Sequence, residues 1–202
     1  MAKNRSAVYV GLLLVAAAST GYIVARSLHV SAPQLASGTA LPQARPVAAF
    51  SLTDQDGVTF NNARLAGGPN LLFFGFTHCP DVCPTTLALM TQLHREAGLQ
   101  NLRMIFVTVD PARDDALTLR HYVEAFGGGF TALRGEDAQL DPLLLNLGAV
   151  RSVQPLAGGD YAVDHSATLY FINSRGALSA VFTPPFDYAR LRADLLKLVS
   201  GR

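Results

Sequence analysis

One segment of this 202-residue chain, residues 70–90, limits the possible folds more than any other. It reads NLLFFGFTHCPDVCPTTLALM and opens with a continuous apolar run, which is typical of a strand buried on both faces of a sheet. Two Cys-Pro pairs follow, and apolar residues then recur with helical spacing. Because proline is tolerated only in the first turn of a helix, the pattern predicts a strand, a loop with Cys79, and a helix with Cys83 at its N-cap and Pro84 in the first helical position.

The rest of the sequence predicts further strands and helices in alternation. Along the chain these are a hairpin at 50–60, a strand at 102–110, helices at 114–126 and 137–148, a hairpin at 167–182 and a final helix at 187–200. This order predicts an α/β fold with a central mixed sheet and flanking helices. It fits a thioredoxin-like fold, with both cysteines just after the C-terminal end of the first central strand, where open α/β sheets place their active sites.

The N-terminal segment differs in composition from the rest of the chain. Residues 7–25 include no charged side chain, and a helix of that length would extend about 28 Å, close to the hydrocarbon thickness of a bilayer. Basic residues precede the run, which favours a cytoplasmic location for residues 1–6. We therefore expect one N-terminal transmembrane helix at residues 7–25 and export of the following domain. A cleaved signal peptide is the alternative.

Two regions are expected after this anchor. Residues 26–45 are small, polar and interrupted by prolines, which is typical of a flexible linker. Residues 46–202 are long enough for one domain with a sizeable core. This part carries 12 basic and 15 acidic side chains and shows no basic patch, so nucleic acid is not expected as a partner.

Cys79 and Cys83 are the only cysteines in the sequence. In an oxidising compartment outside the cytoplasm, thiols tend to be paired, catalytic or bound to metal. A structural disulfide would close too small a loop to stabilise the fold much, whereas a reversible redox pair and a soft-metal site are both compatible with the spacing. Since a helix N-terminus stabilises anions, we expect the pKa of the Cys83 thiol to be lowered.

A metal site needs a further ligand, and the five histidines are the candidates. His29 lies in the linker, and His94 and His121 lie in predicted helices. The side chain of His78 should point away from that of the neighbouring cysteine in an extended segment. His165 stands in a loop at the mouth of a predicted buried strand, in YAVDHSATLYFIN. In a thioredoxin-like sheet that loop lies against the cysteine loop, so His165 is the expected third ligand.

Three motifs carry a resemblance to a known family. FTHCPDVCPTTL, VDPARD and VDHSATLYFI resemble segments of the Sco (SenC) family, membrane-anchored copper proteins that assemble the binuclear copper centre of cytochrome c oxidase. The likeness extends over roughly residues 50–198. It implies a thioredoxin-like fold, one copper ion per chain bound by Cys79, Cys83 and His165, and a position for VDPARD near this site.

The resemblance also implies a function and a location. A copper metallochaperone of this kind delivers copper to the copper-site subunit of the oxidase, with an upstream copper chaperone as a candidate donor. It is anchored in the bacterial inner membrane with its domain in the periplasm, or in the mitochondrial inner membrane facing the intermembrane space. The alternative is a membrane-anchored thiol-disulfide oxidoreductase, in which Cys79 and Cys83 are the catalytic redox pair and keep the oxidase cysteines reduced.

The chemistry of the three side chains agrees with copper. Two thiolates and one imidazole are soft ligands suited to Cu(I), and copper binds most strongly among the divalent first-row metals. Structural zinc requires four protein ligands, and we find three. Asp81 and Asp164 are candidates for orienting the ligands from outside the coordination sphere. A binuclear copper electron-transfer centre would need histidine where Leu87 stands.

Overall fold

The computed structural model describes residues 9, 11, 13–22 and 33–201. Residues 13–22 are helical, and no helix among the described residues is long and apolar enough to cross a membrane. The predicted anchor at residues 7–25 lies partly outside the described residues, and residues 1–6 and 26–32 lie outside them entirely. Pro33–Arg202 forms a compact unit of its own.

The described part of this compact unit alternates strands with helices. The strands are β1 Thr39–Pro46, β2 Ser51–Asp54, β3 Thr59–Asn61, β4 Asn70–Gly75, β5 Arg103–Thr108, β6 Phe130–Arg134, β7 Arg151–Pro155, β8 Tyr161–His165, β9 Leu169–Ile172 and β10 Ala177–Phe182. The α-helices are α1 Asn62–Leu65, α2 Val82–His94, α3 Ala116–Glu124, α4 Asp137–Leu147 and α5 Tyr188–Ser200. Eight strands form one sheet in the order β1-β10-β9-β4-β5-β6-β2-β3, and β7 pairs with β8 in a second, smaller sheet.

The large sheet is mixed. β4, β5 and β6 run parallel to one another, and the other neighbouring strands are antiparallel. β4 lies in the middle and all six of its residues are buried, as its apolar run predicts. Helices α2, α3 and α4 contact β5, β6 and β2. The predicted α/β fold with a central mixed sheet is confirmed, whereas β1, β6, β7 and β8 were not predicted from the sequence.

The sequence predicts a flexible linker over residues 26–45 and a domain that starts at residue 46. This prediction is wrong from Thr39 onward, because strand β1 begins there. This strand pairs antiparallel with β10, starting with Thr39 opposite Val181. β1 is the outermost strand, and proline is tolerated at such an edge because one side of the strand needs no partner. The pairing also covers backbone groups of β10 that would otherwise form an exposed edge.

The segment before β1 is also fixed to the domain. Asp194 on α5 is fully buried, and its carboxylate accepts hydrogen bonds from the backbone N–H groups of Ala36 and Ser37 at 2.8 and 2.7 Å. Burial on its own would raise the pKa of Asp194, but these bonds and one from the N–H of Gly38 outweigh burial and lower it. The folded domain therefore includes the residues just before β1.

Helix α2 begins earlier than the sequence predicts. Asp81 is its N-cap residue, so Cys83 lies in the first turn and not at the N-cap. Pro84 still falls within the first turn, where its missing N–H costs no helical hydrogen bond. The N–H of Thr85 donates to the carbonyl of Asp81 at 3.2 Å, which starts the helical ladder.

Strands β7 and β8 form a hairpin outside the large sheet. Arg151 pairs with His165 at its base, and Pro155 pairs with Tyr161 at its far end. Most of its side chains are exposed or half-buried, so the sequence lacks the apolar alternation by which a strand is recognised. His165 is the last residue of β8 and not part of an irregular loop, although it does precede the buried strand β9 as predicted.

Candidate metal centre

Cys79 and Cys83 lie directly after the central strand. β4 ends at Gly75, Cys79 follows in the loop, and Cys83 is in the first turn of α2. Cys83 is fully buried, whereas Cys79 is half-buried. The N–H of Cys83 donates to the Sγ of Cys79 at 3.4 Å. The start of the helix therefore holds the two sulfur atoms near one another.

Gly75 makes room for the buried sulfur. A Cβ atom at this position would lie 2.9 Å from the Sγ of Cys83 and 2.7 Å from the ring of Phe106. Both distances are shorter than a carbon atom can approach, so any larger residue would displace the sulfur or the ring. The glycine in FFGF is thus required by the close approach of backbone and thiol.

The loop between β4 and α2 is held by a buried carboxylate. Asp114 is fully buried. It accepts hydrogen bonds from the N–H of Thr77 at 3.1 Å, from the hydroxyl of Thr77 at 2.6 Å and from the hydroxyl of Thr108 at 2.5 Å. Asp114 is the last residue of VDPARD, which therefore packs beside the cysteine loop. No local sequence pattern points to Thr77, because its role depends on this long-range contact.

His165 approaches the cysteines from the hairpin. Its Nε2 lies 3.3 Å from the Sγ of Cys83, and its Nδ1 lies 3.1 Å from the carbonyl oxygen of Ser166. An N–H at Nδ1 can donate to that carbonyl, which leaves the lone pair of Nε2 free to bind a metal. The rings of Phe73 and Phe76 pack edge-on against the imidazole, with centroid distances of 5.8 and 5.7 Å.

The three predicted ligands come together in the structure. The Sγ atoms of Cys79 and Cys83 and a ring nitrogen of His165 all lie within 4.8 Å of one another. A cleft of about 260 Å³ opens beside them, and Pro80 and Asp164 are among the residues that line it. Two sulfur atoms and one nitrogen form a soft donor set that fits a monovalent or divalent copper ion.

Burial alters the proton affinity of two of the predicted ligands. It raises the pKa of the Cys83 thiol well above the ordinary value and outweighs a lowering hydrogen bond from the backbone of Phe76. The expectation that the helix N-terminus lowers this pKa is therefore wrong for the metal-free protein, because the sulfur has no contact with water. Burial also lowers the pKa of His165, although the Ser166 carbonyl and Asp164 act in the opposite direction. Both side chains are thus uncharged near neutral pH without a metal.

The carboxylates predicted to orient the ligands do not hydrogen-bond to them. Asp81 lines the cleft and is exposed, and Asp164 accepts a hydrogen bond from the side chain of Gln154 at 2.8 Å. His29 lies outside the described residues, and no other histidine that the structure describes joins the donor set. His78 lies 3.0 Å from the hydroxyl of Thr77, and His94 lies 3.2 Å from the carbonyl of Leu102.

The sequence is similar to those of known copper-binding and SCO proteins. The family model described as SCO1/SenC matches residues 38–200. A protein of Stutzerimonas stutzeri whose name describes it as copper-binding is 34% identical over 164 residues, which is 80% of each chain. The mitochondrial SCO2 homologue of Mus musculus is 34% identical over 155 residues, which is 74% of this chain and 59% of that protein. The chain thus spans less than two thirds of the mouse relative.

Solved structures show the same fold. The copper-bound ScoI of Bradyrhizobium japonicum matches with a TM-score of 0.69 and 32% identity, over 76% of this chain and 99% of that one. The copper-bound Sco1 of yeast matches with a TM-score of 0.70 and 27% identity, over 78% of this chain and 90% of that one. The thioredoxin-like architecture predicted from the sequence agrees with these structures. The chain belongs to the SCO1/SenC family.

Proposed function

We propose that this protein binds one copper ion per chain through Cys79, Cys83 and His165 and delivers it to the binuclear copper centre of cytochrome c oxidase during assembly. The observation that carries the proposal is the convergence of the three donor atoms within 4.8 Å of one another, at a cleft. Two solved relatives, from Bradyrhizobium japonicum and yeast, contain copper. A further structural match is described as a member of the Sco family of cytochrome c oxidase assembly proteins.

The donor set suits transfer of copper better than storage. Two thiolates and a neutral imidazole carry two negative charges, so the site would be left with one negative charge by Cu(I) and with none by Cu(II). Three protein ligands leave one side of the ion open. An incoming thiolate can bind there and replace the half-buried Cys79 first and the buried Cys83 last. The partner we propose is the copper-site subunit of the oxidase, which supplies such thiolates.

The location follows from the same proposal. The oxidase copper site receives its metal outside the cytoplasm, so the domain would lie in the periplasm or the intermembrane space. The uncharged run at residues 7–25 would anchor it to the inner membrane. An upstream copper chaperone would load the cleft from the same compartment.

The test is direct copper transfer between purified proteins. The full chain is loaded with one equivalent of Cu(I) and mixed with the metal-free copper-site domain of the oxidase subunit, and copper on each protein is measured after separation. We expect copper to move to the oxidase domain. Retention of copper by the full chain, with the recipient cysteines reduced and free, would contradict the proposal.

A thiol-disulfide oxidoreductase is the second candidate, and the proximity of the two thiols favours it. Both cysteines are free, and their sulfur atoms lie within 4.8 Å of each other. Formation of a Cys79–Cys83 disulfide would release two electrons and two protons, and a target disulfide would take them up to become two thiols. No metal takes part in this exchange.

The variant His165→Ala separates the two candidates, because it keeps both thiols and removes one copper ligand. In cells that lack the native gene, the variant should fail to restore a copper-loaded oxidase if delivery is the function. Full restoration by His165→Ala would favour the reductase. The variant Cys83→Ala is the matched control and should fail in either case.

A further inference from the structure

The hairpin that carries His165 is not paired with the large sheet in the part of the chain that the structure describes. Its base is closed by Ser166, whose N–H donates to the carbonyl of Val150 at 3.0 Å and whose hydroxyl accepts from the N–H of Val150 at 2.8 Å. These bonds fix the base of the hairpin but not its tilt. Because His165 lies at this base, its distance from Cys83 depends both on these bonds and on contacts with other elements that set the tilt.

Arg113 makes such contacts with the first residue of β8. Its Nε donates to the carboxylate of Asp110 at 2.5 Å, and its guanidinium donates to the carbonyl of Tyr161 at 3.3 Å. The guanidinium carbon also lies 3.9 Å from the centre of the Tyr161 ring. The Tyr161 hydroxyl donates to the second oxygen of Asp110 at 2.7 Å. These three side chains form a closed set of bonds between the VDPARD loop, residues 109–114, and the hairpin.

The same guanidinium also lies near Phe76, which lines the cleft beside the three donor atoms. It lies 5.9 Å from the centre of the Phe76 ring, and Phe76 packs edge-on against the imidazole of His165 at 5.7 Å. The side chain of Arg113 is 24% exposed, and that of Asp110 is 3% exposed, so the ion pair is largely shielded from water. Arg113 thus touches Phe76 next to the cysteine loop and Tyr161 on the hairpin at the same time.

We propose that Arg113 is a positioning residue, which holds the hairpin so that His165 meets the two cysteines. The proposal rests on copper binding by His165 and assigns a role that the metal ligands alone do not explain. Its mechanism is geometric, because the positive charge of Arg113 is already balanced by Asp110 and by Asp160, which lies 3.5 Å away. Loss of the guanidinium should therefore misplace the imidazole and leave the sulfur atoms in place.

Arg64 offers a matched control. It pairs with Asp54 at 2.9 Å and lies over the Phe60 ring at 5.0 Å, and it belongs to α1, which follows the edge strand β3. Arg64→Met removes one ion pair and one cation–π contact, and Arg113→Met removes two of each. Only Arg113→Met should affect the position of His165.

The first measurement uses the metal-free full chain. In its NMR spectrum, cross-relaxation between the His165 ring and the Phe76 ring should weaken in Arg113→Met and stay at the wild-type intensity in Arg64→Met. The amide of Val163, in the middle of β8, should also exchange faster in Arg113→Met alone. Wild-type ring contacts and exchange in Arg113→Met would overturn the proposal.

The second measurement uses the full chain loaded with Cu(II). Pulsed EPR reports coupling between copper and an imidazole nitrogen. In Arg113→Met this coupling should decrease and the affinity for Cu(II) should fall roughly tenfold, whereas Arg64→Met should match the wild type. Unchanged coupling in Arg113→Met would overturn the positioning role. Absence of coupling in the wild-type protein would instead overturn copper binding by His165, so the two failures are distinguishable.

A milder variant covers the case in which Arg113→Met does not fold. Tyr161→Phe removes only the hydroxyl that bonds to Asp110. It should weaken the ring contact of His165 in the same direction and by a smaller amount. Full retention of the contact in Tyr161→Phe, together with an unfolded Arg113→Met, would show a structural role and contradict the proposal.

Discussion

The two halves of the proposed copper site are built by different means. The sulfur half consists of Cys79, in the loop after the central strand, and Cys83, in the first turn of a helix. The buried thiol of Cys83 packs closely against the backbone at Gly75. The imidazole half, His165, lies on a two-stranded hairpin that side-chain contacts connect to the rest of the domain. The central strand, the start of α2 and the buried Asp114 carboxylate therefore fix the sulfur half, whereas the imidazole half depends on the side chains that attach the hairpin, such as Arg113.

This difference has a functional meaning under the proposed delivery of copper. A carrier must keep its metal while it travels and release it to a partner. A rigid dithiol retains the ion, and a histidine on a separately attached hairpin can withdraw without disturbing the core. We expect changes in the sulfur half to affect both folding and copper, and changes in the imidazole half to affect chiefly copper.

The largest effect is expected from Cys83→Ala. This variant removes the buried sulfur that lies 3.3 Å from the Nε2 of His165 and within 4.8 Å of the Cys79 sulfur. Copper content of the purified full chain should fall from about one equivalent to nearly none, because one thiolate and one imidazole bind Cu(I) weakly. Atomic absorption after dialysis against a competing chelator checks this result. A full equivalent of copper in the variant would show that the sulfur half is not the site.

The next effect concerns folding of the sulfur half. Asp114→Asn places an amide group among three hydrogen-bond donors from Thr77 and Thr108. It should lower the free energy of unfolding by about 3 kcal/mol, because a buried charge-assisted network is broken. Urea denaturation of the metal-free chain measures this loss.

Asp115→Asn is the control for that measurement. Asp115 caps α3 by accepting from the N–H of Thr118 at 2.7 Å, and asparagine is an equally good N-cap residue. Its unfolding free energy should stay close to that of the wild type. Equal losses in both variants would mean that Asp114 has no special role in holding the cysteine loop.

A smaller effect on the free energy of unfolding is expected from a change in pH, and it arises from His165 in the imidazole half. Burial lowers the pKa of His165 in the folded state, so the unfolded chain binds more protons as the pH falls below about 6.5. The metal-free wild type should therefore lose stability from pH 7 to pH 5, and His165→Ala should lose less. Urea titrations at both pH values test this. A larger loss in His165→Ala than in the wild type would contradict the assignment.

The smallest effect is expected from Asp141→Asn. Asp141 is 63% exposed and pairs at 3.1 Å with Arg151, at the base of the hairpin. Exposed ion pairs contribute about 0–1 kcal/mol, and Arg151 keeps a second partner in Asp137 at 2.7 Å. The free energy of unfolding, measured by urea denaturation, should stay within about 1 kcal/mol of the wild type. The copper affinity, measured by chelator competition, should stay within about twofold to threefold of the wild type. A loss of copper as large as that of Arg113→Met would shift the positioning role to the base of the hairpin.

The same contrast explains what the sequence could predict. The path from β4 through Cys79 to α2 is encoded locally, by an apolar run and by prolines that restrict where a helix can begin. His165 could be selected because it precedes the apolar strand β9. These local patterns predicted the fold class and the three residues that we propose as ligands.

Other features depend on contacts between distant parts of the chain. The small and polar residues of β1 become a strand only because β10 offers an edge. The β7–β8 hairpin is largely exposed, and the roles of Thr77 and Arg113 depend on contacts that the VDPARD loop makes with the cysteine loop and with the hairpin. The pKa of Cys83 is raised and not lowered because complete burial outweighs the helix N-terminus. None of these effects can be recognised from a short segment of the sequence.

The central claim is that two sulfurs and one imidazole nitrogen surround a single copper ion. X-ray absorption at the copper edge of the Cu(I)-loaded full chain measures these neighbours directly. The account predicts two sulfur atoms and one imidazole nitrogen in the wild type, and loss of the imidazole signal in His165→Ala. A wild-type spectrum without imidazole, or identical spectra for the two proteins, would contradict it.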